Sequence, residues 1–283
     1  MIDFHTHIFS PYARDHRDKL EKADPAFSFI YAGKGARMIG VEELLEAMEE
    51  NGVEASVVCG FPWQGAEPCR RENDYLLESA QKYPQKIIPF ITLPQEEKTA
   101  IVELERCAQE GAEGVGELAP GTYGDCLWDI GTMKPIFEAI KEKGLPLLIH
   151  VNEPVGHPYP GKGTVGLSEI EALVNALQDM KVILAHWGGG FFFYELMPEI
   201  AAACKGVYYD TAASPFLYNK NIYKTAIAII GLHRIVFGSD YPLIPPLRYV
   251  REMQTAGLDE KDLESILNVN AQRLLGNFPK SNI

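Results

Sequence analysis

Residues 2–7 read Ile2-Asp3-Phe4-His5-Thr6-His7, and the reading of the whole chain turns on them. The apolar pair Ile2 and Phe4 brackets a short run that suits a buried strand. Side chains two apart on a strand point to the same side. His5 and His7 can therefore reach one metal ion together, each through a neutral imidazole nitrogen. A lone His-x-His is weak evidence, because two ordinary histidines near a terminus look the same. The positions of the other histidines and carboxylates decide between the two.

Outward from this stretch the chain alternates. Val53–Cys59, Lys86–Thr92, Gly114–Glu117, Leu145–Val151, Lys181–His186, Gly206–Asp210 and Arg234–Asp240 read as strands two to eight. Helical patterns lie between them, at 41–51, 72–83, 96–110, 133–143, 167–179 and 221–230, with another running from the glycines at 188–190 through Cys204. Two further helical stretches, near 247–256 and 259–275, close the chain. Short apolar runs flanked by helices mean parallel strands covered on their outer face. Eight such units within 283 residues, with no linker or composition break, favour a closed (β/α)8 TIM barrel over an open sheet. The expected architecture is one barrel domain over residues 1–283, with extra C-terminal helices. Residues 8–40 carry several prolines and glycines and read as a long loop holding Tyr12, Arg14, His16, Arg17, Lys34 and Arg37.

Composition narrows the function classes. With 46% hydrophobic and 23% charged residues the chain can bury a core of useful size. A net charge of −13 argues against nonspecific nucleic-acid binding, which needs a basic surface, and leaves a small molecule as the expected partner. Cys59, Cys69, Cys107, Cys126 and Cys204 are scattered, without a Cys-x-x-Cys pair. That fits a reducing cytosol better than a disulfide framework. The N-terminus reads as a strand where a signal peptide needs a basic start and an apolar run. The longest apolar stretches fall short of a membrane span. The expectation is a soluble protein of the cytoplasm.

Barrel enzymes place their chemistry at the C-terminal ends of strands. In this reading His5 and His7 end strand one, Glu117 strand four, His150 strand five, His186 strand six and Asp240 strand eight. Four of the seven histidines thus share one ring, and core histidines have no reason to recur at that end. Three imidazoles and a carboxylate suit zinc or another divalent transition ion.

These residues carry a family resemblance. The first-strand His-x-His, the histidine after strand five, Ala185-His186-Trp187-Gly188 and Gly238-Ser239-Asp240-Tyr241-Pro242 resemble the amidohydrolase superfamily. The resemblance covers essentially the whole chain, through Ile266–Gly276. It is similar to the amidohydrolase-related branch, which holds both hydrolases and nonoxidative decarboxylases of the aminocarboxymuconate-semialdehyde type. The resemblance implies that His5, His7, His150 and Asp240 bind the metal. It implies that His186 is an acid/base and substrate-polarising residue, or a ligand of a second ion. Many binuclear members carry a carbamylated lysine at the end of strand four. Glu117 stands there instead, more like the glutamate of TatD-type nucleases, and can ligate, bridge two ions or hold a water. One or two ions are expected, with zinc as the first choice, and a homo-oligomer is a further implication.

A bound divalent ion lowers the pKa of its water toward ~7. Asp240 can then take that water's proton, and His186 can protonate a leaving group or steady an oxyanion. The leading expectation is a metal-dependent hydrolase of a small carboxylated or cyclic substrate, using a metal-bound water. Glu117, as holder of a hydrolytic water or second ion, tips the balance that way. The alternative is a metal-dependent nonoxidative decarboxylase, in which the ion orients the substrate. A non-enzymatic metal binder needs no acid/base pair beside its ion, and His186 with Asp240 counts against it. A phosphodiesterase gains from Glu117 and loses from the acidic charge.

Other residues divide between chemistry and packing. In the loop 152–163, His157, Tyr159 and Lys162 can grip a substrate carboxylate, and the same segment reads equally as a proline-stiffened surface loop. Trp187 and Phe191, Phe192 and Phe193 are expected in the core or at a subunit contact, and Gly188–Gly190 in a tight turn. Asp210 reads as a turn or cap residue, and His16 and His233 as structural.

Overall fold

Eight parallel strands follow one another around a single sheet in sequence order. They are β1 (Ile2–Thr6), β2 (Ala55–Cys59), β3 (Ile87–Ile91), β4 (Gly114–Leu118), β5 (Leu147–Ile149), β6 (Val182–Leu184), β7 (Val207–Asp210) and β8 (Ile235–Val236). The computed structural model describes residues 1–33, 35–119, 130–163 and 165–276; Lys34 and Cys126 lie outside them. The edges of the sheet meet. Phe4 N donates to Phe237 O at 2.7 Å, Asp240 N to His5 O at 2.8 Å, and Thr6 bridges Tyr241 in parallel. The alternation in the sequence therefore becomes a nearly closed (β/α)8 barrel.

Its interior is filled from several strands at once. Phe4, Val57, Phe90, Leu148, Ile183 and Val236 belong to one buried cluster, which Ala271 and Leu274 of the last helix join. Phe4 and Phe90 meet edge-to-face with centroids 5.6 Å apart, a contact worth ~0.5–1.5 kcal/mol beyond its buried area. A larger cluster, including Leu104, Ile140, Leu173 and Phe237, lies between the sheet and its helices.

The strands end early at the mouth. β5, β6 and β8 are shorter than their apolar runs, so His150, His186 and Asp240 stand just beyond the ladder instead of within it. Left-handed backbone follows β6, with φ near +55° to +90° from His186 through Gly190. The expected tight turn is there. A Cβ on Gly189 would come within 2.2 Å of Asn152 O, so only glycine fits. The regular helix expected to run from this turn is confined to Pro198–Ala203.

Residues 8–40 are not the loop their prolines suggested. They hold three short helices, Pro11–Asp15, Arg17–Ala23 and Pro25–Tyr31. Ser10 Oγ accepts from Ala13 N at 3.1 Å and Asp24 Oδ1 from Phe27 N at 3.1 Å. A proline then occupies the first turn of the first and third helices, where its missing N–H costs nothing. The helices bury Phe27 and Tyr31 against Phe9, Phe61 and Trp63, beside the ends of β1 and β2. The final helical stretch is also broken, by a wider turn at Ser265–Val269. Asn270 there donates to Ile235 O at 2.8 Å and pins the segment to β8. Among the described residues no helix is long and apolar enough to cross a membrane.

Candidate metal centre

A register shift in the pairing of β1 with β2, between Asp3 and Thr6, spans His5 and precedes His7; irregularities of this kind re-aim side chains beside functional sites. His5 Nε2 and His7 Nε2 stand 3.1 Å apart. Two ring nitrogens at that distance can share one proton, or both can face one cation. Glu117 Oε2 lies 3.6 Å from the first and 3.7 Å from the second. Asp240 Oδ1 lies 3.8 Å and 3.4 Å from the same atoms. Ligand atoms about 2.0–2.2 Å from a tetrahedral ion are about 3.3–3.6 Å from each other. His5, His7 and Asp240 thus have the spacing and the chemistry to hold a divalent ion, and Glu117 faces the same two ring nitrogens.

Further bonds present the correct ring nitrogens. His5 Nδ1 is 2.8 Å from Asp210 Oδ2 and His7 Nδ1 is 3.2 Å from Cys59 O. Donation through Nδ1–H leaves both Nε2 lone pairs facing the centre. His186 is held the same way. Its backbone N donates to Asp210 Oδ1 at 2.8 Å, and its Nδ1 lies 3.1 Å from Ala212 O. His186 Nε2 then sits 3.3 Å from His150 Nδ1 and 3.8 Å from Glu117 Oε1. His150 Nδ1 meets Glu117 Oε1 at 2.8 Å, while its Nε2 is buried and has no partner among the described residues.

All six residues of the sequence-derived ring therefore converge. His5, Glu117 and His186 also form a three-donor group of their own. Glu117 faces both the His5–His7 pair and the His150–His186 pair.

Charge is concentrated here on side chains that are largely buried. Burial pushes the Glu117 carboxyl up, but the charges of His150 and His5 outweigh it and hold the pKa well below the ordinary value. Burial likewise opposes protonation of His5, yet Glu117 and Asp210 raise its pKa well above 6.5. His150 is raised for the same reason, with burial opposed by Glu117. For Asp240 burial is overcome by the hydrogen bond to His7 and by His5 and His186, so the carboxylate stays ionised. Asp240 also adopts a left-handed backbone, φ 58°, as does His186 at 54°. Such conformations gather at sites where surrounding bonds over-determine the chain.

Three residues beyond the ring shape it without a sequence pattern to announce them. Asp210 carries His5 and His186 together. Asp3 Oδ1 accepts from Ser239 N at 2.9 Å and Asp3 Oδ2 from Ser239 Oγ at 2.5 Å, tying β1 to the residue before Asp240. Burial lifts the Asp3 carboxyl to about 7 despite these donors. Tyr31 is buried beside the centre; burial, then the negative charges of Asp240 and Glu117, push its phenol upward and keep it protonated.

The loop after β5 bonds mainly to itself. Lys162 Nζ donates to Val155 O at 2.7 Å and His157 O at 3.1 Å, and His157 is exposed. Tyr159 donates to Glu153 Oε2 at 2.8 Å and accepts from Asn152 Nδ2 at 3.1 Å. Trp187, Phe191 and Phe192 are buried and Phe193 is exposed.

A family model described as amidohydrolase matches residues 2–276. The chain belongs to the amidohydrolase family. This amidohydrolase-family enzyme is 25% identical to a γ-resorcylate decarboxylase of Polaromonas sp., over 84% of this chain and 88% of the relative. Its fold is similar to that of a 5-carboxyvanillate decarboxylase from Sphingomonas paucimobilis, with a TM-score of 0.77 at 19% identity, covering 97% of this chain and 98% of the other. It is also similar to a dihydroxybenzoic acid decarboxylase from Polaromonas sp., TM-score 0.73 at 20% identity, covering 98% and 96%. That structure holds manganese and the inhibitor 2-nitroresorcinol.

Proposed function

We propose that this chain is a metal-dependent nonoxidative decarboxylase of a small hydroxylated aromatic carboxylate. The observation that carries the reading is its likeness, across nearly the whole barrel, to a γ-resorcylate decarboxylase. The site geometry supports it by removing the main argument for hydrolysis. Glu117 is engaged by His150 at 2.8 Å and flanked by three further imidazoles, so its carboxylate has a role that needs no hydrolytic water.

The proposed ligands are His5, His7, Glu117 and Asp240, with His150 beside them, for manganese or zinc. When bound, the ion supplies positive charge that fixes and neutralises the substrate's oxygens. The chain's own residues do the rest. The bond from ring carbon to carboxyl breaks, carbon dioxide leaves, the electron pair stays on the ring carbon, and a proton takes the vacated position. Asp240 is held ionised and contributes charge and ligation. Proton delivery then falls to His186, whose Nδ1 is fixed by Ala212 O so that Nε2 faces the centre. A positioned group of this kind contributes typically ~10²–10⁴ in rate.

The test follows two products separately. Manganese- or zinc-loaded protein is given 2,6-dihydroxybenzoate, related hydroxybenzoates and a set of lactones in ¹⁸O-labelled water. Carbon dioxide release without labelled oxygen in the organic product is expected. Labelled oxygen entering a product without carbon dioxide release would return the assignment to a hydrolase.

A further inference from the structure

We infer that Tyr31 is a substrate-binding residue of this site, its hydroxyl donating a hydrogen bond to an anionic oxygen of a planar aromatic acid. The inference rests on the aromatic-acid reading above and adds a residue that none of the metal-ring arguments reaches.

The ring of Tyr31 has a complete packing explanation; its hydroxyl has none. Tyr31 ends a stack of three rings, 4.9 Å from Phe27, which lies 5.2 Å from Trp63. Phe9 and Phe61 abut it edge-on at 5.1 Å and 5.8 Å. The three rings that meet it, Phe27, Phe9 and Phe61, would pack equally well around a phenylalanine. Arg17 engages Tyr31 through the backbone carbonyl, not through the side chain. Among the described residues the hydroxyl has no hydrogen-bond partner, yet it is not one of the polar atoms sealed from solvent. A hydroxyl with no protein partner and access to solvent is free to bond a ligand that enters the site.

Its placement says what that partner is. Phe9 lies two residues beyond His7, and Phe61 and Trp63 follow β2, so the cluster lines the barrel mouth on the side of the His5–His7 pair. The hydroxyl lies within the fields of Asp240 and Glu117, which together with burial keep it protonated. It is therefore a neutral donor beside a centre of fixed charge, and its natural partner is an anionic oxygen carried in on a flat ring. The aromatic rings favour such a ring by stacking and edge contact.

Tyr31→Phe removes the hydroxyl and leaves the packing. Manganese-loaded wild type and variant are titrated calorimetrically with 2,6-dihydroxybenzoate, with metal content and Tm measured alongside. The variant is expected to bind ~10–100-fold more weakly, the loss of one hydrogen bond to a charged group, with metal content and Tm unchanged. Equal affinities, loss of metal together with affinity, or no binding by the wild type would each overturn the assignment. Wild type that binds the acid but releases no carbon dioxide would sink the decarboxylase reading alone, because the affinity ratio would still decide Tyr31.

Discussion

His5 Nδ1 lies 2.8 Å from Asp210 Oδ2, and both side chains are fully buried. That contact decides which nitrogen of His5 can face an ion. Asp210 is itself fixed, since Oδ1 accepts from His186 N at 2.8 Å and Ala212 N at 3.0 Å. One carboxylate thus orients the His5 imidazole and anchors the backbone that carries His186.

Asp210→Asn tests this orientation. The amide keeps the shape, but its NH₂ can donate to His5 Nδ1 and so favour the wrong tautomer. Metal affinity, measured by competition with a chelator, should fall ~10–100-fold, as is usual when a ligand's hydrogen-bond partner is removed. Wild-type affinity in the variant would mean that another contact sets the tautomer.

The histidines themselves should separate into two classes. His5→Ala deletes the atom that two three-donor groups share, and His150→Ala releases Glu117 Oε1 from its closest imidazole. Each should weaken metal binding ~10-fold or more and abolish turnover. His233→Ala, at an exposed side chain in the turn Leu232–Arg234, should do neither. Like behaviour in all three would show that placement at the barrel mouth carries no function.

These variants also mark how far the sequence could be read. The eight strands were legible because each is an apolar run between helical patterns, and the six ring residues because each falls where a run ends. Asp210 was read as a cap, and it does accept two backbone N–H groups; its bond to His5 joins positions 205 apart, which no local pattern reveals. The helices at 11–31 are five to seven residues long, too short for a 3.6-residue period to emerge. Their signal lies in Ser10-Pro11 and Asp24-Pro25, cap followed by proline, a pairing that loops share. Glu117 falls at the mouth, where its strand ends, but its bond to His150 joins positions 33 apart and leaves no mark in either local pattern.

A stability prediction follows from the barrel wall. Glu195 is almost fully buried, accepts from Tyr209 at 2.8 Å, and pairs with Arg234, which also donates to Cys204 O at 2.8 Å. Arg234→Met would leave the carboxylate buried and uncompensated. The expected cost is ~3–5 kcal/mol in denaturant unfolding. Arg234→Met with Glu195→Gln should recover part of it, and a single variant as stable as wild type would contradict the pairing.

The last prediction concerns pH. In the metal-free protein Glu117 and Asp210 overcome burial to raise His5, and Glu117 does the same for His150, so both imidazoles keep a proton above 6.5. A raised folded-state pKa contributes stability that is complete below the unfolded value and lost as pH climbs through the folded value. The metal-free protein should therefore lose this contribution above pH 6.5. An ion needs the neutral His5 ring and repels a charge on His150 beside it, so binding must expel the first proton and disfavours the second, and affinity should rise with pH over the same window. Each proton expelled strengthens binding about tenfold per pH unit, or ~1.4 kcal/mol. Because bound ligand stabilises by RT ln(1 + [L]/Kd), the gap in Tm between manganese-loaded and metal-free protein should widen from about pH 6.5 upward. It should level off once the pH passes the raised values. Calorimetric titrations in buffers of different ionisation enthalpy should count the protons released per ion. A constant gap with no proton release would mean that His5 and His150 are already neutral before the ion arrives, and that the carboxylates around them do not hold charge on the rings.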